Sequence, residues 1–241
     1  MNADNLLFRC SSLGSIMTEA RSKSEPISET AKAHLLEVYI DHKYKRRKVV
    51  TTKYMEKGLQ VEEDAITLYS RFTKLYHAKN EDRISNEFIA GTPDLFNGNS
   101  IHDADTIIDI KSSWDIFTFH AVIGKGIKKL YYWQLMGYMA LTGAKNAKLA
   151  YCLVDTPDTI LNDEKRKLHW KMGLIDDQNA DFEQACNDID RLGKYDDIPV
   201  NERVHIIEIE RDEQAINAIY QRVAECRKWM NENLYNTITN N

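Results

Sequence analysis

An aspartate and a lysine stand two residues apart in an otherwise apolar segment, Thr106-Ile107-Ile108-Asp109-Ile110-Lys111-Ser112. Its β-branched content predicts a strand, and strand side chains alternate faces, so Asp109 and Lys111 share one face while Ile108 and Ile110 share the other. Against an apolar sheet an unpaired charge is costly or shifts its pKa. A simple ion pair would account for an isolated Asp-x-Lys. A second carboxylate widens the chemistry: Asp94 follows Pro93 at a strand boundary, and a β-hairpin can fold it back onto Asp109. Two aspartates and the carbonyl of Ile110 are oxygen ligands suited to a hard divalent cation, Mg²⁺ or alternatively Mn²⁺, that keeps several waters. Such a cation stabilises charge developing on a phosphodiester and acidifies bound water, and a neighbouring lysine orients or activates that nucleophile.

Two polar residues break apolar helical patterns. Positions 55, 59, 62, 66 and 69 follow helical spacing, and only Glu62 among them is charged. An acid facing the core needs a partner, and a metal would be one. Gln134 interrupts the apolar positions Ile127, Leu130, Tyr138 and Leu141 in the same way. Either could instead be a satisfied buried polar group.

The elements that must position these residues are legible from periodicity. Residues 28–44 read as a helix with Ser28 as N-cap, and residues 52–72 as a second. Residues 87–96 read as strand, Gly-Thr-Pro turn and strand, and Asn97-Gly98-Asn99 as a hairpin reversal. After the strand at 106–112 come a helix over 125–141 stopped by Gly143, strands at 147–154 and 203–210, and a terminal amphipathic helix over 214–233. This order predicts a single α/β domain with a central mixed sheet flanked by helices. The acidic, polar stretch at 155–201 is expected to be an insertion or cap.

Composition removes several alternatives. With 43% hydrophobic residues in 241, the chain can bury an ordinary core. Its four cysteines contain no Cys-x-x-Cys pair, which argues against a zinc ribbon, a clustered iron–sulfur site or a disulfide framework. Apolar runs are short, and the N-terminus lacks a signal-peptide layout, so a cytoplasmic protein without a membrane partner is expected. The net charge of −5 hides two basic clusters, Lys43 to Lys48 and Lys125, Lys128 and Lys129. Each is either a solvated surface or a path for a phosphate backbone.

Taken together, these motifs resemble the phage lambda-type alkaline exonucleases within the PD-(D/E)xK nucleases. Gly58, Glu62 and Ala65 stand in the register of the family's G-x-x-x-E-x-x-A helix. Gly91 to Asp94 match its glycine turn and Pro-Asp, Asp109 to Lys111 its acid-x-Lys strand, and Tyr131 to Gln134 its Tyr-rich helix with a Gln. The likeness covers roughly residues 8 to 155; Asp109 stands where many relatives carry Glu, and residues 155–201 match nothing. The resemblance implies a restriction-endonuclease-like core, metal held by Asp94, Asp109 and Glu62, and Lys111 and Gln134 assisting the water. It implies 5′-phosphate binding by Ser11 with Arg9, and more weakly by Ser12; for this segment a helix-capping serine pair is the competing reading. It further implies 5′-to-3′ digestion of double-stranded DNA ends that leaves 3′ overhangs for recombination, a trimeric ring, and a single-strand annealing protein as partner. Lys45, Arg46, Arg47, Lys128 and Lys129 would then line the DNA path without reading sequence. A structure- or sequence-specific endonuclease and a catalytically silent DNA-binding protein are the competing readings.

Overall fold

The computed structural model describes residues 2–22, 25–49, 51–175 and 179–236. The strands are β1 (Phe8–Arg9), β2 (Ile84–Ser85), β3 (Ile89–Gly91), β4 (Leu95–Asn97), β5 (Thr106–Ser112), β6 (Asn146–Cys152) and β7 (Val204–Glu210). The α-helices are α1 (Leu13–Ile16), α2 (Glu29–Tyr44), α3 (Lys53–Gln60), α4 (Glu62–Thr73), α5 (Ile116–His120), α6 (Lys129–Thr142), α7 (Asp158–Met172), α8 (Ala180–Gly193) and α9 (Glu213–Met230). Among these residues no helix is long and apolar enough to cross a membrane.

The strands form two sheets. The larger has the order β4-β5-β6-β7, with β5 and β6 parallel and both outer pairs antiparallel, so the expected mixed sheet is present. The smaller, β1-β3-β2, comes from strands of two or three residues, too short for an alternating pattern to announce them. The Gly-Thr-Pro turn therefore carries the chain from one sheet to the other.

The alternation along β5 puts its two faces into different cores. Ile108 and Ile110 pack with Ala65, Ile66 and Tyr69 of α4, while Ile107 joins Leu149 and Tyr151 in the cluster that includes α6. Helix α6 is buried continuously from Gln134 to Met139, as expected for a helix apolar on most sides. It begins at Lys129 rather than near 125, and Gly143 in the left-handed region (φ +79°) ends it.

The helix expected over 52–72 is two helices that break at Val61. Each has its own phase, so the expected stripe does not exist: Met55 is 54% exposed and Leu59 75%, while Lys57 is buried. Residues 155–201 contain α7 and α8, packed against each other between the paired strands β6 and β7. Gly193 permits their close approach, because a Cβ there would fall 2.6 Å from Leu161.

Candidate active site

The β4–β5 hairpin pairs Leu95 with Ile108, so one step further along the register Asp94 comes opposite Asp109. The backbone N–H of Ile110 donates to Asp94 Oδ2 at 2.7 Å, just where β4 has ended and that N–H would otherwise lack a strand partner. A strand residue's N–H and C=O point to the same side, so the Ile110 carbonyl faces the Asp94 side as well. Asn80 holds the turn from behind: its amide donates to the Pro93 carbonyl at 2.8 Å, and its backbone N–H to the Asp94 carbonyl at 2.8 Å. No sequence pattern pointed to Asn80, because its role depends on a loop that returns to the turn.

Asp109 is only 1% exposed. Its Oδ1 accepts from Gln134 Nε2 at 2.9 Å, and the same amide donates to the Tyr138 hydroxyl at 3.0 Å. Gln134 is thus committed behind the carboxylate and orients it, whereas the expectation had it assisting the water. Its apolar surroundings also differ from those expected, since Leu130 is 43% exposed and the buried neighbours are Leu135 to Met139. Gly91 makes room for this arrangement: a Cβ there would come within 2.6 Å of the Tyr138 ring.

Lys111 Nζ lies 2.6 Å from Asp109 Oδ2, an ion-pair distance at an angle that leaves this buried oxygen without a directed hydrogen bond. Burial works against the charge on Lys111, but Asp109 and Asp94 outweigh it and raise its pKa, so the lysine is a cation. The Tyr131 ring, 5.3 Å from Nζ, adds a cation–π contact. Asp94 is pushed up to about 7 by burial and by the charge of Asp109, against the pull of Lys111 and the Ile110 N–H.

Glu62 adjoins this centre for a reason other than the one expected. It opens α4 at the break and pairs with Lys79 at 2.6 Å, while its charge contributes to the upward shift of Asp94. Among the described residues no three His, Cys, Asp or Glu side chains already converge as a metal-binding group, and Glu62 stands next to the aspartates, close enough for its charge to act on Asp94. The donors that fit a hard cation are Asp94, Asp109 Oδ2, which Lys111 faces at 2.6 Å, the Ile110 carbonyl and the neighbouring Glu62. Glu62 and Lys79 balance each other, and two aspartates share one lysine. Asp109 Oδ2 is buried, with Lys111 at ion-pair distance but without a directed hydrogen bond, and a divalent cation would fit beside it.

The remaining expected residues fall in two places. Lys128 and Lys129 are exposed at the start of α6, and Lys128 Nζ lies 6.0 Å from the Tyr131 ring that also faces Lys111. Arg9, Ser11, Ser12, Lys45, Arg46 and Arg47 line one cleft of about 710 Å³, joined by Arg83, which the sequence did not single out. Burial first, and then the charges of Arg47 and Arg83, lower the pKa of Arg9 against the opposing pull of Asp41. Arg47 is partly spent on Asp41 at 2.8 Å. Ser12 Oγ donates to the Arg9 carbonyl at 2.9 Å and so shapes the turn, and it makes no helix-capping bond; Ser11 is exposed to the cleft. Through the pairing of Arg9 with Ala90, this cleft is tied to the strand that leads into Asp94.

The fold carrying this site is shared with a phage-related exonuclease from Haemophilus somnus 129PT: TM-score 0.71 and 28% identity over 97% of both chains. The chain is similar in fold and sequence to this exonuclease. An alkaline exonuclease from Laribacter hongkongensis, also solved with dAMP, has the same fold at TM-score 0.63 and 17% identity, over 99% of this chain and 96% of that one. No family model and no curated protein matches the chain. The relationship to the alkaline exonucleases supports a nuclease.

Proposed function

We propose that this nuclease is a divalent-cation-dependent exonuclease that digests double-stranded DNA from its 5′ ends and leaves 3′ single strands for recombination. The observation that carries the chemistry is the pair Asp94 and Asp109, set opposite each other by the β4–β5 register, with Lys111 2.6 Å from Asp109 and subject to the charge of both carboxylates. End recognition is supported by the cleft around Arg9, whose exposed cations suit a terminal phosphate.

Asp94, Asp109 and the Ile110 carbonyl would hold Mg²⁺ or Mn²⁺. When bound, such an ion supplies charge neutralisation at the scissile phosphate and an acidified water. The chain's own groups do the rest. Lys111 stays protonated against its two aspartates, so it orients the attacking oxygen and offsets charge on the phosphate rather than removing a proton. Gln134 and the Ile110 N–H fix the two carboxylates, which prevents them from rotating away as charge develops. Lys128 and Lys129, beside Lys111 across Tyr131, meet the phosphates of the incoming strand. By resemblance the working form is a ring of three copies in the host cytoplasm that hands its product to an annealing protein.

Digestion of linear duplexes labelled at either the 5′ or the 3′ end, with and without Mg²⁺, tests metal need and polarity together. Early release of the 5′ label, only with the cation present, is the expected result. Cleavage of covalently closed circular DNA at a comparable rate would overturn the exonuclease reading in favour of an endonuclease.

A further inference from the structure

The loop between α4 and β2 reaches back to the carboxylate centre at two consecutive residues. Asn80 is buried, and its backbone N–H and side-chain amide donate to the Asp94 and Pro93 carbonyls, each at 2.8 Å. The loop backbone is therefore fixed on the turn that ends in Asp94. Lys79 comes just before it and directs its ammonium at the start of α4, where Nζ donates to Glu62 Oε2 at 2.6 Å. Glu62 in turn is near enough for its charge to help raise the pKa of Asp94.

The two ends of this pair are anchored, but the contact itself is weak. Glu62 sits on the first turn of a helix and Lys79 beside the pinned Asn80, yet their side chains remain 32% and 38% exposed. An exposed ion pair has a small net value, because water solvates both partners. A divalent cation takes a carboxylate oxygen directly and with twice the charge, so it competes well for Glu62. Among the described residues Asp94, Asp109 and Glu62 are neighbours that do not yet converge as a metal-binding group, and the pair with Lys79 commits one Glu62 oxygen elsewhere. Glu63 and Glu81 act on Lys79 through their charge alone, so neither replaces Glu62 as its partner.

We infer that Lys79 is a placeholder for the cation: it holds Glu62 while the centre is metal-free, gives it up when a divalent cation binds, and then meets a DNA phosphate with the freed ammonium. This inference rests on the nuclease reading above. The freed charge exists only when the centre is loaded, so cation and DNA phosphate each tighten the binding of the other.

Mn²⁺ titration of the DNA-free protein, followed by the paramagnetic resonance of unbound Mn²⁺, tests the first half. Lys79→Gln should tighten Mn²⁺ binding roughly 1.5- to 5-fold, as expected for loss of an exposed competing ion pair. Lys79→Arg should bind as the parent does, and Glu62→Gln should bind more weakly. In the Glu62→Gln background Lys79→Gln should change nothing, because no pair is left to give up. Equal tightening in both backgrounds would mean that Lys79 acts only as a distant charge and would overturn the inference, as would unchanged affinity in Lys79→Gln. The second half is read from the salt dependence of binding to a duplex whose ends carry phosphorothioate linkages to slow hydrolysis. In Ca²⁺, Lys79→Gln should lower the slope of log affinity against log salt by about 0.9, as for one lost phosphate contact, and in EDTA it should leave the slope as it was. A slope lowered equally with and without Ca²⁺ overturns the inference, and so does one unchanged in both. Failure of the parent to bind Mn²⁺ or to hydrolyse DNA with it would defeat the nuclease reading and the inference together. Mn²⁺-dependent hydrolysis with unchanged Mn²⁺ affinity in Lys79→Gln would defeat the inference alone.

Discussion

At the carboxylate centre each charged group is held by something fixed, whereas in the cleft around Arg9 like charges gather on the surface. Asp109 is gripped by Gln134 and Lys111, and Asp94 by the Ile110 N–H. Arg9, by contrast, is exposed and repelled by Arg47 and Arg83, with Asp41 as its opposing charge. The first region gathers two carboxylates around one lysine, and the second gathers several cations with Glu37 and Asp41 among them. Burial sets the difference in scale: a charge changed in the interior disturbs everything that satisfied it, while a surface charge is screened by water and salt.

The largest effect should come from Asp109→Asn. The amide keeps the shape and can still accept from Gln134, but the charge is gone and Lys111 is left without its partner. We expect a drop in kcat on the order of 10³-fold. Duplex affinity in EDTA should not fall, since no group that meets phosphate is removed. Activity within tenfold of the parent would mean that the reaction takes place elsewhere, and the contrast between the regions would have no basis.

A second effect is thermodynamic. Asp94 has a folded pKa of about 7 against an ordinary 3.8, so the folded protein binds its proton more tightly than the unfolded chain does. The stability gained from that proton is complete below about 4 and is lost as pH rises through about 7. The partly buried His34 and His77, with lowered pKa values, act in the opposite direction: their contribution falls as pH falls. The informative quantity is therefore a difference between proteins. Without divalent cations, the Tm of the parent should drop relative to that of Asp94→Asn between pH 6 and pH 8, by roughly 2–4 °C per kcal/mol. Mg²⁺ at pH 8 should restore it. Parallel melting profiles for the two proteins would show that Asp94 carries no such burden.

The two regions also differ in how much of each could be read from the sequence. The centre was legible in part because its signals are local: alternation along β5 puts Asp109 and Lys111 on one face, and the strand boundary at Pro93 marks Asp94. A tight Asn-Gly reversal would have given the wrong register, however, since β4 and β5 are joined through residues 98–105 with Asn97 opposite Thr106. Glu62 was singled out from a stripe that does not exist, because the break at Val61 takes Met55 and Leu59 out of it, yet it lies near Asp94. Gln134 was noticed as an odd polar residue, but only its partners show that it orients Asp109. The cleft was legible in part. Arg9, Ser11 and the cluster at 45–47 were each singled out, yet nothing in their spacing places them around one cavity with Arg83. Strands as short as Phe8–Arg9 and Ile84–Ser85 carry no period, so the small sheet that joins the cleft to Asp94 was invisible.

The smallest effect should belong to Arg9→Ala. Arg9 is one of several cations in its cleft, and an exposed charge paired with phosphate has a modest net value once solvation is offset. We expect the preference for 5′-phosphorylated over 5′-hydroxyl ends to fall about tenfold at low salt, with little change in rate on the hydroxyl substrate. Because exposed charges are screened, this effect should shrink as salt rises toward 0.2 M, whereas the Asp109→Asn defect should not respond to salt. An unchanged ratio of rates on the two substrates at low salt would remove Arg9 from end recognition. Equal salt sensitivity in the two variants would have a different meaning: the carboxylate centre would then be open to solvent in the working enzyme, and the division between a buried and a surface region would not survive.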